Sequence, residues 1–395
     1  MSKSNKHKCM IIGITAWSLT KPDKRGIDIV TTNIISRILK TANDKYIFYL
    51  ILQENNIKNI EQLLTETAAT VVPLQLPKIR FLQYDLSLLF MPRMLMKTKL
   101  DVIHFTEFLP SLTPSFYISS VRKILTIYDL IPSLFRYLPT DYILKWRLLL
   151  KRVVKKVDMI ITVSKNTLND CVKYLQCPSE KIRVIYPGVD NIFKPLTRKE
   201  KAKEVIKTKY GVEPPFILYV GTLEPRKNVE RLIASYYILK KKMGIKHRLI
   251  LVGKKVWMYN TIFNLISKLG LSNQVVYIGY VDREDLPLFY NLADVFVYPS
   301  LYEGFGIPPL EAMACGTPVV TSNTSSLPEV VGNAALTVDP YNIDQLVQAI
   351  HLIISDEGVR KELSKRGIEQ AQKFSWEKAA QETLKVYTEV SNLRS

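Results

Sequence analysis

The sequence predicts an α/β protein built of two Rossmann-like halves, each a parallel sheet wound with helices, facing each other across a cleft. Short β-branched and aromatic runs alternate with longer amphipathic stretches, the signature of βαβ units. That alternation lapses once, around residues 187–211, and a fresh strand opens after Pro214-Pro215. A length of 395 residues suits two or three domains of ~150 residues each.

Taken in order, the strand candidates of the first half are 9–14, 46–52, 102–105, 124–128, 159–163 and 183–186. Those of the second half are 216–220, 249–252, 275–278, 295–298, 319–321 and 335–338. Helical periodicity fills the gaps, as at 228–242, 259–269 and 343–355. Pro187-Gly188 signals a turn, and residues 195–209 are strongly charged, so the expected organisation is a first domain over 1–190, a linker over 191–212 and a second domain over 213–375. In the last segment Ala380, Leu384 and Tyr387 share one helical face. This helix, 376–395, is expected either to dock back on the first domain or to pack on its own.

Composition narrows the function classes. No apolar run reaches the ~18–20 residues of a membrane-spanning helix, and 86–100 is interrupted by Pro92, Arg93, Lys97 and Lys99. The basic N-terminus is followed only by the short apolar stretch 9–14, which reads as a strand rather than a signal-peptide core. A soluble, cytoplasmic protein is expected. The four cysteines show neither CxxC nor zinc-ligand spacing, which argues for buried thiols over disulfides or a metal centre. Net charge is +19, of which residues 1–190 carry +13. Such an excess attracts polyanions, whether phosphorylated ligands, anionic lipid or nucleic acid. No RNA-binding signature or zinc-finger spacing supports nucleic acid.

The densest chemical signal runs from Tyr298 to Thr321: strand, glycine loop, helix, turn, strand. Gly304 and Gly306 bracket Phe305 where backbone can approach a ligand. Pro308-Pro309 suits a first helical turn, and the N–H groups near Gly306 and Ile307 make an anion site. Glu303 precedes the loop and Glu311 lies about one turn into the helix. Carboxylates accept hydrogen bonds from vicinal hydroxyls, so an anion site between two of them describes a nucleotide diphosphate sugar. A second signal, Gly221-Thr222 through Arg226-Lys227-Asn228, is the first βα loop of the second half, the usual seat of phosphate recognition. Arg226 and Lys227 would neutralise a pyrophosphate leaving group, and without an Asp-x-Asp motif the expected mechanism is free of metal and cofactor.

These segments resemble the retaining glycosyltransferases of family 4, which have the GT-B fold and a Glu-x7-Glu motif, here Glu303 to Glu311. The match extends through 221–228, 279–281, 293–300 and 326–330, and in the first half through Val163-Ser164 and 184–190. The resemblance implies that Arg226 and Lys227 hold the diphosphate, Glu311 the ribose and Glu303 the donor hexose. It further implies that amides around Phe305, Gly306 and Ile307 contact hexose and phosphate, and that Gly279, Tyr280 and Val281 line the base pocket. Retention then proceeds by front-face substitution, the departing phosphate oxygen taking the acceptor proton. The donor it suggests is GDP-mannose, with glucosyl or a related sugar from UDP next. The acceptor is a saccharide or a lipid-linked saccharide, in cell-surface polysaccharide or glycolipid synthesis.

Two positions depart from the family pattern. Of two glycines in the first-domain loop only Gly26 remains, with Asp28 near it, and Tyr128-Asp129 stands where His-Asp is common. Asp129 is read either as an acceptor-orienting or basic residue, or as a helix N-cap. These departures leave open a non-catalytic nucleotide-sugar-binding protein. His104 reads as a packed core histidine. The stretch 144–157 joins an apolar body to six basic residues and Trp146. Two readings stand for it: a contact with an anionic membrane surface, shared by 91–100, or a packed helix with solvated lysines.

Overall fold

The computed structural model describes residues 9–21, 26–41, 44–53, 63, 65–67, 69–74, 99–108, 120–134 and 140–393. The chain divides into two compact units, one comprising Met1–Gly188 with Trp376–Ser395 and the other Val189–Ser375.

The first unit holds a parallel sheet of β1 (Met10–Thr15), β2 (Tyr46–Gln53), β3 (Thr70–Leu74), β4 (Val102–Phe105), β5 (Arg122–Ile127), β6 (Met159–Thr162) and β7 (Ile182–Val184). Their spatial order is β3-β2-β1-β4-β5-β6-β7. Central strands of such a sheet are covered on both faces and read as unbroken apolar runs. The four residues of β4 and the four of β6 are all buried accordingly. Strand β3 was not expected from sequence: Pro73 breaks its pattern, and only an edge position, as here, accommodates proline in a sheet.

The helix Trp376–Ser391 closes this unit. It buries Trp376, Ala379, Ala380, Thr383, Val386, Tyr387 and Val390, one stripe at helical spacing. The stripe joins Ile12, Ile14, Ile35, Ile38, Val102 and Ile124 in one core. At the sheet, His104 is held between Tyr387 Oη and Thr126 Oγ1, each at 2.8 Å. It is the packed core histidine expected, and burial lowers its pKa to about 3.

The second unit holds β8 (Phe216–Val220), β9 (Arg248–Val252), β10 (Val275–Gly279), β11 (Val295–Tyr298), β12 (Val319–Ser322) and β13 (Leu336–Val338). They are ordered β10-β9-β8-β11-β12-β13, and every pairing is parallel. The order reverses between β8 and β11, the switch point where open α/β sheets bind ligands beyond their strand ends. The charged stretch expected as part of a linker instead folds as the helix Lys199–Tyr210. Only Ala202 and Ile206 of it are buried, so its apolar signal was too thin to read. Tyr210 anchors it on Phe289, ring centroids 5.1 Å apart.

Candidate active site

The loops after β8 and β11 build the site. Beyond Val220 the chain makes a short turn, Pro225–Lys227, ended by Asn228 in the left-handed region at φ 60°. Asparagine tolerates that conformation better than most residues. Its buried side-chain amide donates to the carbonyls of Pro299 and Pro340, at 3.0 and 2.7 Å. The Leu301 amide donates to the Arg226 carbonyl at 2.8 Å. One loop is thereby pinned to the other before any charged group is considered.

Those charged groups then converge on Glu303. Lys227 Nζ lies 2.6 Å from Glu303 Oε1, and Arg226 Nη1 lies 3.0 Å from the same oxygen. Ser300 Oγ and Tyr298 Oη donate to it at 2.5 and 3.1 Å. Arg226 also ion-pairs with Glu224 and donates to the Tyr302 carbonyl at 2.6 Å. Lys227 and Glu303 are both buried, each 8% exposed. Burial alone would raise the pKa of Glu303, but the Arg226 and Lys227 charges and the hydrogen bonds from Lys227 and Ser300 outweigh it and hold Glu303 at about 2. For Lys227, burial leads and the Arg226 charge adds to it, pulling its pKa down against Glu303.

After Glu303 the chain turns at Gly306, whose φ of 124° and the 2.9 Å that would separate an added Cβ from Leu327 Cδ2 admit only glycine. The helix Ile307–Ala314 starts there. Pro308 and Pro309 have no N–H, so the amides of Gly306 and Ile307 are the donors at this helix end. Ser326 Oγ clamps the loop from behind, donating to the carbonyls of Glu303 and Phe305 at 2.9 and 2.6 Å. The Phe305 ring is buried against Phe374, centroids 5.6 Å apart. One turn on, Glu311 is 3% exposed. It ion-pairs with Arg283 at 3.1 Å, and Tyr290 Oη donates to its other oxygen at 3.1 Å. Burial raises its pKa, opposed by Arg283.

Gly221 and Thr222 begin the β8 loop, the Gly221 amide donating to Val252 at 2.9 Å and the Thr222 carbonyl accepting from Tyr219 Oη at 3.0 Å. Beside them Gly253, at φ 140°, would place a Cβ 1.9 Å from the Gly221 carbonyl oxygen, so the β8 and β9 loops touch through bare backbone. Past β10, Val281 is buried, while Tyr280 is 53% exposed with Lys254 Nζ 4.6 Å from its ring centroid.

Two candidates lie in the first unit instead. Gly26 starts the helix Gly26–Thr41, with open space where a Cβ would stand. Asp129 Oδ1 accepts from the Ile131 amide two residues on at 2.9 Å, an Asx turn leading into the helix Ile131–Leu134. Asp28 is buried, accepting from Ser18 and Lys21 at 2.9 and 2.7 Å. Arg25 and the stretch 91–98 lie outside the described residues. Sequence reasoning missed Arg283, Tyr290 and Ser300, single polar residues in apolar or loop contexts that no spacing marks.

Residues 200–373 match the model for glycosyl transferases group 1, and residues 54–191 match that for glycosyltransferase family 4. The O-antigen chain mannosyltransferase B of Escherichia coli is 34% identical over 279 residues, covering 69% of this chain and 72% of the relative. The chain belongs to the family 4 glycosyltransferases. Serotype-specific mannosyltransferase WbdA of Escherichia coli is 29% identical to this glycosyltransferase over 73% of its chain, which spans 37% of WbdA. Among solved structures, sucrose-phosphate synthase from Thermosynechococcus elongatus superposes with a TM-score of 0.76 at 20% identity, covering 96% of this chain and 99% of that one. That likeness carries the GT-B fold.

Proposed function

We propose that this glycosyltransferase moves a mannosyl group from a nucleotide diphosphate sugar, GDP-mannose first, to a saccharide or lipid-linked acceptor of cell-surface polysaccharide, with retention and without a metal ion. What carries the reading is the convergence of Arg226 and Lys227 on Glu303, 3.0 and 2.6 Å from one buried oxygen. The two mannosyltransferases similar to this chain supply the sugar.

In this reading the donor diphosphate takes donors from Arg226, Lys227 and the helix-end amides of Gly306 and Ile307. The two cations stand beside two carboxylates, Glu224 and Glu303, so their function is directional: donors fixed in advance where charge develops on the leaving phosphate. Glu303 accepts from the hexose hydroxyls. Held near pKa 2, it stays an ionised acceptor through the neutral range. Glu311 accepts from the ribose, and Gly221, Thr222, Tyr280 and Val281 line the nucleoside side. The acceptor oxygen attacks the anomeric carbon as the bond to the diphosphate breaks on the same face, and a phosphate oxygen takes the acceptor proton. Asp129 and Gly26 would serve the acceptor side. The chain would work at the cytoplasmic face of an anionic membrane.

A donor panel of GDP, UDP and ADP sugars, read as free nucleotide released in the presence of a chelator, tests this. Release from GDP-mannose with an α-linked product is expected. Turnover with none of them would leave a nucleotide-sugar-binding protein without catalysis, and loss of turnover on chelation would remove the metal-free route.

A further inference from the structure

Glu311 does not stand alone in its pocket. Arg283 places Nη1 3.1 Å from Glu311 Oε1, while its Nε and Nη2 hold Asp190 Oδ2 at 3.1 and 2.6 Å. The guanidinium carbon lies 5.0 Å from the centroid of Phe193. One planar fork thus joins two carboxylates from distant segments while resting on an aromatic face, a geometry that an ammonium group cannot reproduce.

We propose that Arg283 is the positioning residue for the nucleotide ribose, holding Glu311 so that both hydroxyls of the diol find acceptor oxygens. The inference rests on the reading of Glu311 as the ribose ligand. The groups facing Glu311 are Arg283, Asp190, Tyr290 and, at the end of its own helix, Cys315. Asp190 opposes ionisation of Glu311, and burial keeps the Tyr290 hydroxyl and the Cys315 thiol neutral. Arg283 is the cation of this set. Without it a buried carboxyl beside a second carboxylate would take up a proton, and a protonated Glu311 would present a donor where the diol needs an acceptor.

The test is calorimetric titration of the full chain with GDP, or UDP if GDP does not bind, against the 2′,3′-dideoxy form of the same nucleotide. Wild type, Arg283→Gln, Arg283→Lys and Glu311→Gln are compared from mildly acidic to mildly alkaline pH. Wild type is expected to favour the diol about tenfold or more, the worth of a hydrogen bond to a charged group. Arg283→Gln should lose most of that preference and recover part of it as pH rises. Arg283→Lys should recover part at every pH, since charge returns but the fork does not. An Arg283→Gln protein with the wild-type preference throughout would overturn the inference. Should that variant not fold, Arg283→Lys decides: a reduced preference supports the inference and an unchanged one overturns it. Glu311→Gln with full diol preference would instead overturn the assignment of Glu311 itself.

Discussion

Glu303 shows how much of this site is electrostatic. A carboxyl held at about 2 contributes stability that is complete above its ordinary value of 4.5 and is lost as pH falls toward 2. Glu303→Gln removes that contribution, so the stability gap between variant and wild type should narrow as pH falls through that window, read by urea melts at stepped pH. On the proposed role of Glu303, the same substitution should lower kcat/KM by roughly 10²-fold or more, the scale for losing a group that orders the transition state. Arg226→Ala is expected to reduce kcat more than donor affinity: its other partners, Glu224 and the Tyr302 carbonyl, lie within the protein, and in the proposed reading its differential effect is on the departing phosphate. Glu311→Ala should raise the donor Kd about 10–100-fold with a smaller effect on kcat, the range for a charged hydrogen-bond partner. Single-turnover kinetics beside equilibrium binding separates the two. Glu303, Arg226 and Glu311 were legible because each sits at a motif spacing. Ser300 and Tyr298 lie inside the quoted motif but gave no sign of their role, since a serine or tyrosine in a βα loop is ordinary until its oxygen is seen on the carboxylate.

At the scale of elements, the helix Trp376–Ser391 is the most consequential. Its apolar stripe completes the core around Ile35, Ile38 and Val102, and its Tyr387 satisfies one nitrogen of buried His104. Tyr387→Phe leaves that nitrogen without its partner and should cost about 1–3 kcal/mol in denaturant unfolding, with no change in nucleotide affinity. His104 is neutral when folded because burial lowers its pKa to about 3. The unfolded chain binds a proton near 6.5 that the folded chain refuses, so stability falls as pH drops from 6.5 toward 3, at about 1.4 kcal/mol per pH unit. A His104→Gln variant should flatten that slope. The helical face was readable from its spacing, but which sheet it covers was not, since periodicity names a buried face and never its partner. The helix Lys199–Tyr210 failed differently: with only Ala202 and Ile206 buried, it carries too little apolar signal to stand out from its lysines.

For the whole molecule the governing quantity is a charge of +19, with no helix among the described residues long and apolar enough to cross a membrane. The helix Thr140–Val154 exposes Leu144 and Leu148, 57% and 47%, beside the exposed Lys145 and Arg152. Its other side packs Leu150, Val153 and Val154 into the first core, and we propose that the exposed side meets anionic lipid as an interfacial helix does. Sedimentation with phosphatidylglycerol vesicles should show binding that weakens as salt shortens the screening length from ~10 Å to ~3 Å, and Leu144→Ser with Leu148→Ser should reduce it. Equal binding by that double variant would assign the attraction to charge spread over the first unit rather than to this helix.

What the sequence determined by itself is the α/β class, nearly every strand of both sheets, the family, and the loop where Glu303, the glycines and Glu311 follow one another. Those features are local: strand runs, turn residues and motif spacings are set by neighbours along the chain. Only the tertiary structure decided that Arg283 reaches from one loop to both Asp190 and Glu311, and that the last helix closes the first core. Each of these joins residues far apart in the chain, and distance in sequence carries no record of which charges or faces meet when the chain folds.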